Sequence, residues 1–277
     1  MLPVPPGVSE HLQLRSFMSP SPHSDEPSLK AEDAVKGPQQ GVLMLLPNLL
    51  GDVRHHEVFL PASVDRAVAN MDGLIAESEQ QGLRFLKRFQ TKKPPNETPL
   101  SLFNEHTPDN EIDFLLEPLY RGERWGFVSD AGLPCIADPG SLLVHRARQL
   151  GIAVQSFVGP SSFLMSLMLS GLPGQRFYFQ GYLDKEPQKR KVQIQKLEKT
   201  SQQDNATQIF MEAPYRNKHM LESLMEMLSD ETHLAVVWDV TLPTQGIVSQ
   251  PIRLWKKSPL PNIEKKPAVF LLYSGSI

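Results

Sequence analysis

Residues Trp125–Gly140 constrain the chain more than any other stretch. A short apolar run, Trp125-Gly126-Phe127-Val128, ends in Ser129-Asp130, and a loop containing Gly132, Pro134, Pro139 and Gly140 follows. The segment Leu142-Leu143-Val144-His145-Arg146-Ala147 then has apolar residues at helical spacing, and Ile152–Val158 reads as another strand. Strands alternating with helices imply an α/β fold with a parallel sheet. In open sheets of this kind, ligands bind just beyond the carboxyl ends of the strands. Most strand-to-helix connections are about two to six residues long. The longer, stiffened loop after Val128 therefore has a task beyond turning the chain.

The remaining apolar runs extend the pattern. Gly41–Leu46 predicts a buried strand that stops at Pro47-Asn48, and Ser63 caps a helix running through Val64, Val68 and Met71. Ile75 fits a strand beyond it, Glu77–Phe89 an amphipathic helix, and Ile112–Leu119 another helix. Gly159-Pro160-Ser161-Ser162 opens a helix that ends at Gly171. Phe177–Tyr182, Thr207–Met211, Leu234–Val240, Gly246–Val248 and Ala268–Leu272 read as strands, with helices at Gln188–Lys199 and Asn217–Leu228. Successive strands without intervening helices predict a mixed sheet in the second half. The expected architecture is two α/β domains, 41–158 mainly parallel and 159–277 mixed, with the site in the cleft between them. Residues 1–40, rich in Pro, Ser and charge, lack a steady hydrophobic period and are expected to be a disordered extension.

Bulk properties narrow the functional classes. A net charge of −3 argues against non-specific coating of nucleic acid, though a local basic patch is compatible with it. The single cysteine, Cys135, excludes an internal disulfide and a multi-cysteine metal site, and fits a reducing, cytoplasmic setting. His55-His56 has no partners at metal-site spacing, so no metal is expected. No apolar run approaches the roughly 18–20 residues that span a bilayer.

Both phosphate-cradle glycine motifs are missing, so the Asp130 loop suits a ligand held by carbonyls, amides and a carboxylate. Asp138 reads as the cap of the helix starting near Ser141. Cys135, with His145 as its partner, has no motif to support a nucleophile. Glu212-Ala213-Pro214-Tyr215-Arg216 ends a strand as Asp130 does, which places both at one interdomain cleft. Arg216 there either binds an anion or pairs structurally. Lys185, Lys189, Arg190, Lys191, Lys196 and Lys199 form either a phosphate-facing stripe or a solvated helix face.

Taken in order, Ser129–Pro134, Ala137–Gly140, Gly159–Ser162, Ser170–Pro173, Gly181–Leu183 and Glu212–Arg216 resemble the tetrapyrrole methylase superfamily of S-adenosylmethionine-dependent methyltransferases. The branch it most resembles methylates the ribose 2′-oxygen of a cytidine in small-subunit ribosomal RNA. The resemblance implies a homodimer, with S-adenosylmethionine in the interdomain cleft. It places Pro47, Asp130, Ala131, Gly132, Pro134, Ser161, Ser162, Met211 and Ala268 around that donor. Asn104-Glu105-His106 resembles the branch's substrate-side segment. Glu105, His106 and Glu212 are the candidate general bases, while Asn104, Arg216, Lys189, Arg190 and Lys191 are candidates for holding the RNA. The chain departs from the branch at Leu46–Asp52, where Gly-Thr-Pro-x-Gly-Asn is usual. It departs again at Glu77-Ser78-Glu79-Gln80, where Glu-Asp-Thr-Arg is usual and Arg84 follows further on. Methylation of a tetrapyrrole carbon and donor binding without turnover are the alternative functions.

Overall fold

A computed structural model describes residues 41–276; the expectation for residues 1–40 lies outside them. The chain begins with β1 (Val42–Leu45), α1 (Ala62–Ala69), β2 (Gly73–Ala76), α2 (Glu79–Leu86) and β3 (Leu100–Leu102). It continues through α3 (Ile112–Tyr120), β4 (Arg124–Val128), α4 (Gly140–Gln149) and β5 (Ala153–Ser156). These strands form one five-stranded sheet in the order β3-β2-β4-β1-β5, parallel throughout. Both faces are covered. Val64, Val68, Phe85 and Leu86 of α1 and α2 pack on one face, and Leu116, Leu119, Leu143 and Ala147 of α3 and α4 pack on the other. Burial on both sides explains why β2 and β4 read as continuous apolar runs without alternation.

The second half contains α5 (Ser162–Ser170), β6 (Phe177–Tyr182), α6 (Pro187–Asp204), β7 (Thr207–Glu212) and α7 (Asn217–Met227). It ends with β8 (His233–Trp238), β9 (Gly246–Pro251), α8 (Ile252–Trp255) and β10 (Ala268–Tyr273). Its sheet runs β6-β7-β10-β8-β9. Only β6 and β7 are parallel, so the sheet is mixed, as expected. All six residues of the central β10 are buried. Phe270 stacks on Phe210 of β7 with ring centroids 5.7 Å apart. The helix ends follow local chemistry. Ser78 caps α2 by accepting the Gln81 N–H, Pro187 opens α6, and α5 and α6 close on Gly171 and Asn205 in left-handed conformation.

The two halves of the described residues, 41–276, pack as parts of one compact unit. Leu50, in the loop after β1, packs into the second half's cluster of Leu167, Val237, Val240 and Val269. Gly159, beyond β5, abuts Pro47 so closely that a Cβ there would overlap the proline ring. Four local expectations change. Ser63 lies inside α1, which starts at Ala62 behind Pro61, and so does not cap it. The helix assigned from Glu77 begins at Glu79, which leaves Glu77 in the turn after β2. The strand β3 and the short helix α8 were absent from the sequence reading. The basic helix is longer than expected, with 18 residues.

Candidate functional site

The carboxyl ends of β1, β2 and β4 meet at one point, and two side chains, Asn48 and Glu77, tie them. Asn48 follows β1, and its side-chain amide donates to the carbonyls of Ser129 and Asp130, each at 3.0 Å. Its backbone N–H donates to the Gly132 carbonyl at 2.8 Å, and its Oδ1 accepts from Arg88 at 3.2 Å. Glu77, after β2, accepts the Asp130 N–H at 3.1 Å, while Asn104 donates to the Glu77 carbonyl at the same distance. The loop's far end is held by Asp138. Both of its carboxylate oxygens lie 2.9 Å from the Cys135 nitrogen, and one accepts the Gly140 N–H at 2.7 Å. Cys135 and Ala137 sit at φ 69° and 62°, left-handed values that cost a non-glycine residue about 1–3 kcal/mol each. Asp138 is thus the clamp that holds a strained loop, a fuller part than capping the helix.

Two adjoining cavities lie between this loop and the second sheet. One, of about 260 Å³, is lined by Glu77, Ser129, Asp130, Ala131, Gly132 and Asp138 from the first half, and by Ser161, Ser162, Phe179 and Met211 from the second. The other, of about 290 Å³, is lined by Glu212, Asp239, Val240, Leu242, Ala268 and Val269. Leu50, Ala131, Ser162, Tyr182 and Met211 border both. Together they reach the roughly 300–1,000 Å³ of small-molecule sites. One end is acidic and the other largely apolar.

Among the described residues no lysine, arginine or histidine lines either cavity, and Glu77, Asp130 and Asp138 share the first. Burial pushes all three carboxyls above their ordinary range. Glu77 is raised further by the negative charges of Asp130, Asp138 and Glu105. Three carboxylates crowded without a counter-ion repel one another and favour a cationic guest. S-adenosylmethionine, which carries a sulfonium and no phosphate, fits this lining. Glu77, Asp130 and Asp138 would offset its positive charge, and the apolar end would accept a planar ring.

Asp130, Ala131, Gly132, Ser161, Ser162, Met211, Glu212 and Ala268 therefore converge on the cavities. Pro47 and Pro134 do not line them; both are buried. The Glu105 and His106 side chains are 80% and 85% exposed, 3.6 Å from each other, and outside both cavities. Glu212 has a fully buried side chain whose Oε1 takes the Arg216 guanidinium, at 2.8 Å from Nε, and the Ala213 N–H. Arg216 is thereby paired within its own segment and also lies over the Tyr215 ring. Of the basic run on α6, Lys189 pairs with Glu186 and Lys191 with Glu226. Arg190 turns inward, 5% exposed, onto Ser223 Oγ and the Lys185 carbonyl. It cannot face a phosphate from there.

The sequence reading missed Glu77 and Asn48 as site residues. Glu77 had been assigned to a helix, and Asn48 was noted only as part of a divergent loop. Position beyond a strand's carboxyl end was the signal that both carried. Burial and the Asp138 charge push the Cys135 thiol up to about 12, which keeps it protonated and inert as a nucleophile. Among the described residues no helix is long and apolar enough to cross a membrane.

The sequence model of the Tetrapyrrole (Corrin/Porphyrin) Methylases matches residues 49–254. The chain is 31% identical to the ribosomal RNA small subunit methyltransferase I of Thermotoga maritima, over 72% of this chain and 86% of that protein. It is also 31% identical to the protein of that name from Bacillus subtilis, over 73% of this chain and 64% of the relative, just under two thirds of its length. Among solved structures, the methyltransferase CobJ superposes with a TM-score of 0.55 at 18% identity, covering 84% of this chain and 92% of that one. The cobalt precorrin-4 methyltransferase CbiF superposes at 0.53 and 12%, covering 84% and 94%. At such identities these two structures establish the shared fold alone. Because the family's sequence pattern matches residues 49–254, well over half of the chain, this chain belongs to the tetrapyrrole (corrin/porphyrin) methylases.

Proposed function

We propose that the protein is an S-adenosylmethionine-dependent methyltransferase acting on a ribose 2′-hydroxyl of small-subunit ribosomal RNA. The observation that carries donor binding is the crowding of Glu77, Asp130 and Asp138 in a cavity without any cationic side chain. The RNA acceptor rests on the similarity to the ribosomal RNA methyltransferases named above. The halves 41–158 and 159–277 are the proposed domains, and a homodimer in the cytoplasm is the proposed setting.

The bound donor supplies a methyl group already activated by its sulfonium. The chain's task is alignment, which can lower a barrier by roughly 7–11 kcal/mol. The Ser129–Gly132 turn, fixed by Asn48, and the Ser161–Ser162 turn opposite it hold the donor. Leu50 and Met211, bordering both cavities, exclude water. Deprotonation of the acceptor hydroxyl falls to Glu77. It lines the cavity and, raised by burial and neighbouring charge, is a stronger base than an ordinary carboxylate. Glu105 and His106 stand next to Asn104, one loop outside, and Glu212 spends its charge on Arg216.

Purified protein given labelled donor should transfer label to small-subunit ribosomal RNA, with uroporphyrinogen and donor alone as parallel arms. Label in uroporphyrinogen only would establish the tetrapyrrole alternative. Calorimetric donor binding without transfer to either acceptor or to cell extract would establish binding without turnover. Absence of donor binding would end the proposal.

A further inference from the structure

We propose that Arg84 and Arg88 form the binding site for the phosphodiester backbone of the acceptor RNA, a site that rests on the RNA-methylating function proposed above. The two arginines stand one helical turn apart, Arg84 on α2 and Arg88 just past its end. Asp52, 78% exposed, lies 2.8 Å from Arg84 Nη2 and pairs with that arginine alone among the described residues. Arg88 is half-buried and makes one side-chain hydrogen bond among the described residues, to Asn48 Oδ1 at 3.2 Å. Burial and the charge of Arg84 both weaken its hold on a proton, an effect that Asp52 only partly offsets. The two positive charges repel each other. An anion lying across both guanidiniums removes that cost, and the planar fork of arginine matches the oxygens of a phosphodiester.

Position adds to the charge argument. Asn48, which receives Arg88, is the same side chain that grips the Ser129 and Asp130 carbonyls. A strand held by these arginines therefore lies one side chain away from the methyl-donor cavity. The α6 lysines offer no such arrangement. Arg190 is buried, Lys189 and Lys191 bond Glu186 and Glu226 rather than any residue of the Asn48–Asp130 network, and none of the three lines either cavity.

The test is the binding of small-subunit ribosomal RNA to the full chain as salt is varied, for wild type, Arg84→Gln and Asp52→Asn. Neither substituted residue lines a cavity, so calorimetric donor affinity should stay at the wild-type value in both. Loss of one phosphate contact should make Arg84→Gln bind RNA roughly five-fold more weakly at about 0.1 M salt, with a log–log salt slope shallower by about 0.7. Asp52→Asn frees Arg84 and should tighten RNA binding several-fold. An ion pair that merely stabilised the loop would give no tightening. Wild-type RNA binding with both variants unchanged overturns the Arg84–Arg88 site and leaves the RNA-methylating function standing. A wild-type protein that binds donor but has no affinity for this RNA overturns both.

Discussion

The carboxylate of Glu77 accepts the backbone N–H of Asp130 at 3.1 Å, linking the turn after β2 to the loop after β4. Glu77, Asp130 and Asp138 are all raised above their ordinary range, so their protonated forms are favoured in the folded protein. Their contribution to stability is therefore full below the unfolded-state values and is lost as pH rises through the raised folded values. A bound cation reverses the preference, because it favours the ionised forms. The melting-temperature increase produced by S-adenosylmethionine should grow as pH is raised from the acidic side through the carboxylate range. An increase independent of pH would separate these carboxylates from the donor.

Glu77→Gln isolates the proposed base. Glutamine keeps an oxygen to accept the Asp130 N–H, so the loop should hold its shape, but it cannot take a proton. Turnover should fall by roughly 10²-fold or more. The acidic limb of the kcat profile should disappear, and Km for RNA should change little. A variant with wild-type kcat would return the role of base to Glu105 or His106.

The Asp138 clamp gives a stability prediction. Asp138→Ala strands the Cys135 and Gly140 N–H groups and releases a loop strained at Cys135 and Ala137. Hydrogen bonds to a charged group are worth about 1.5–3 kcal/mol, so urea unfolding should show a loss of that order, accompanied by weaker donor binding. Ala137→Gly relieves the left-handed backbone at φ 62° and should be neutral or stabilising in the same measurement.

Much of this architecture was legible because strand and helix periods differ. The apolar runs at β1, β4, β7 and β10 and the turns after them were visible as local patterns. What escaped depended on partners distant in sequence. β3 is a three-residue edge strand, with Leu100 opposite Leu74 and Leu102 opposite Ala76, too short to show alternation. Glu77 sits beside Ser78, and helical composition masked the fact that Ser78 is the cap and Glu77 lies before it. The consecutive basic residues 189–191 looked like one surface. On a helix, however, neighbours point about 100° apart, and Arg190 shares its stripe with the buried Ile194, Leu197 and Ser201. That stripe was present in the sequence; the charge run drew attention away from it.

The inward turn of Arg190 yields the last prediction. Its guanidinium is buried against Ser223 Oγ and the Lys185 carbonyl, with no carboxylate bonded to it among the described residues. Arg190→Ala removes the packed stem and leaves the Lys185 carbonyl without its arginine donor, which should cost about 2–3 kcal/mol in denaturant unfolding. Arg190→Met preserves the stem's volume and removes the desolvated charge, so it should cost clearly less than the alanine variant. Neither should alter the salt dependence of RNA binding, because a side chain 5% exposed does not reach a phosphate. A shallower salt slope in the methionine variant, at unchanged stability, would show that Arg190 swings outward to meet the RNA.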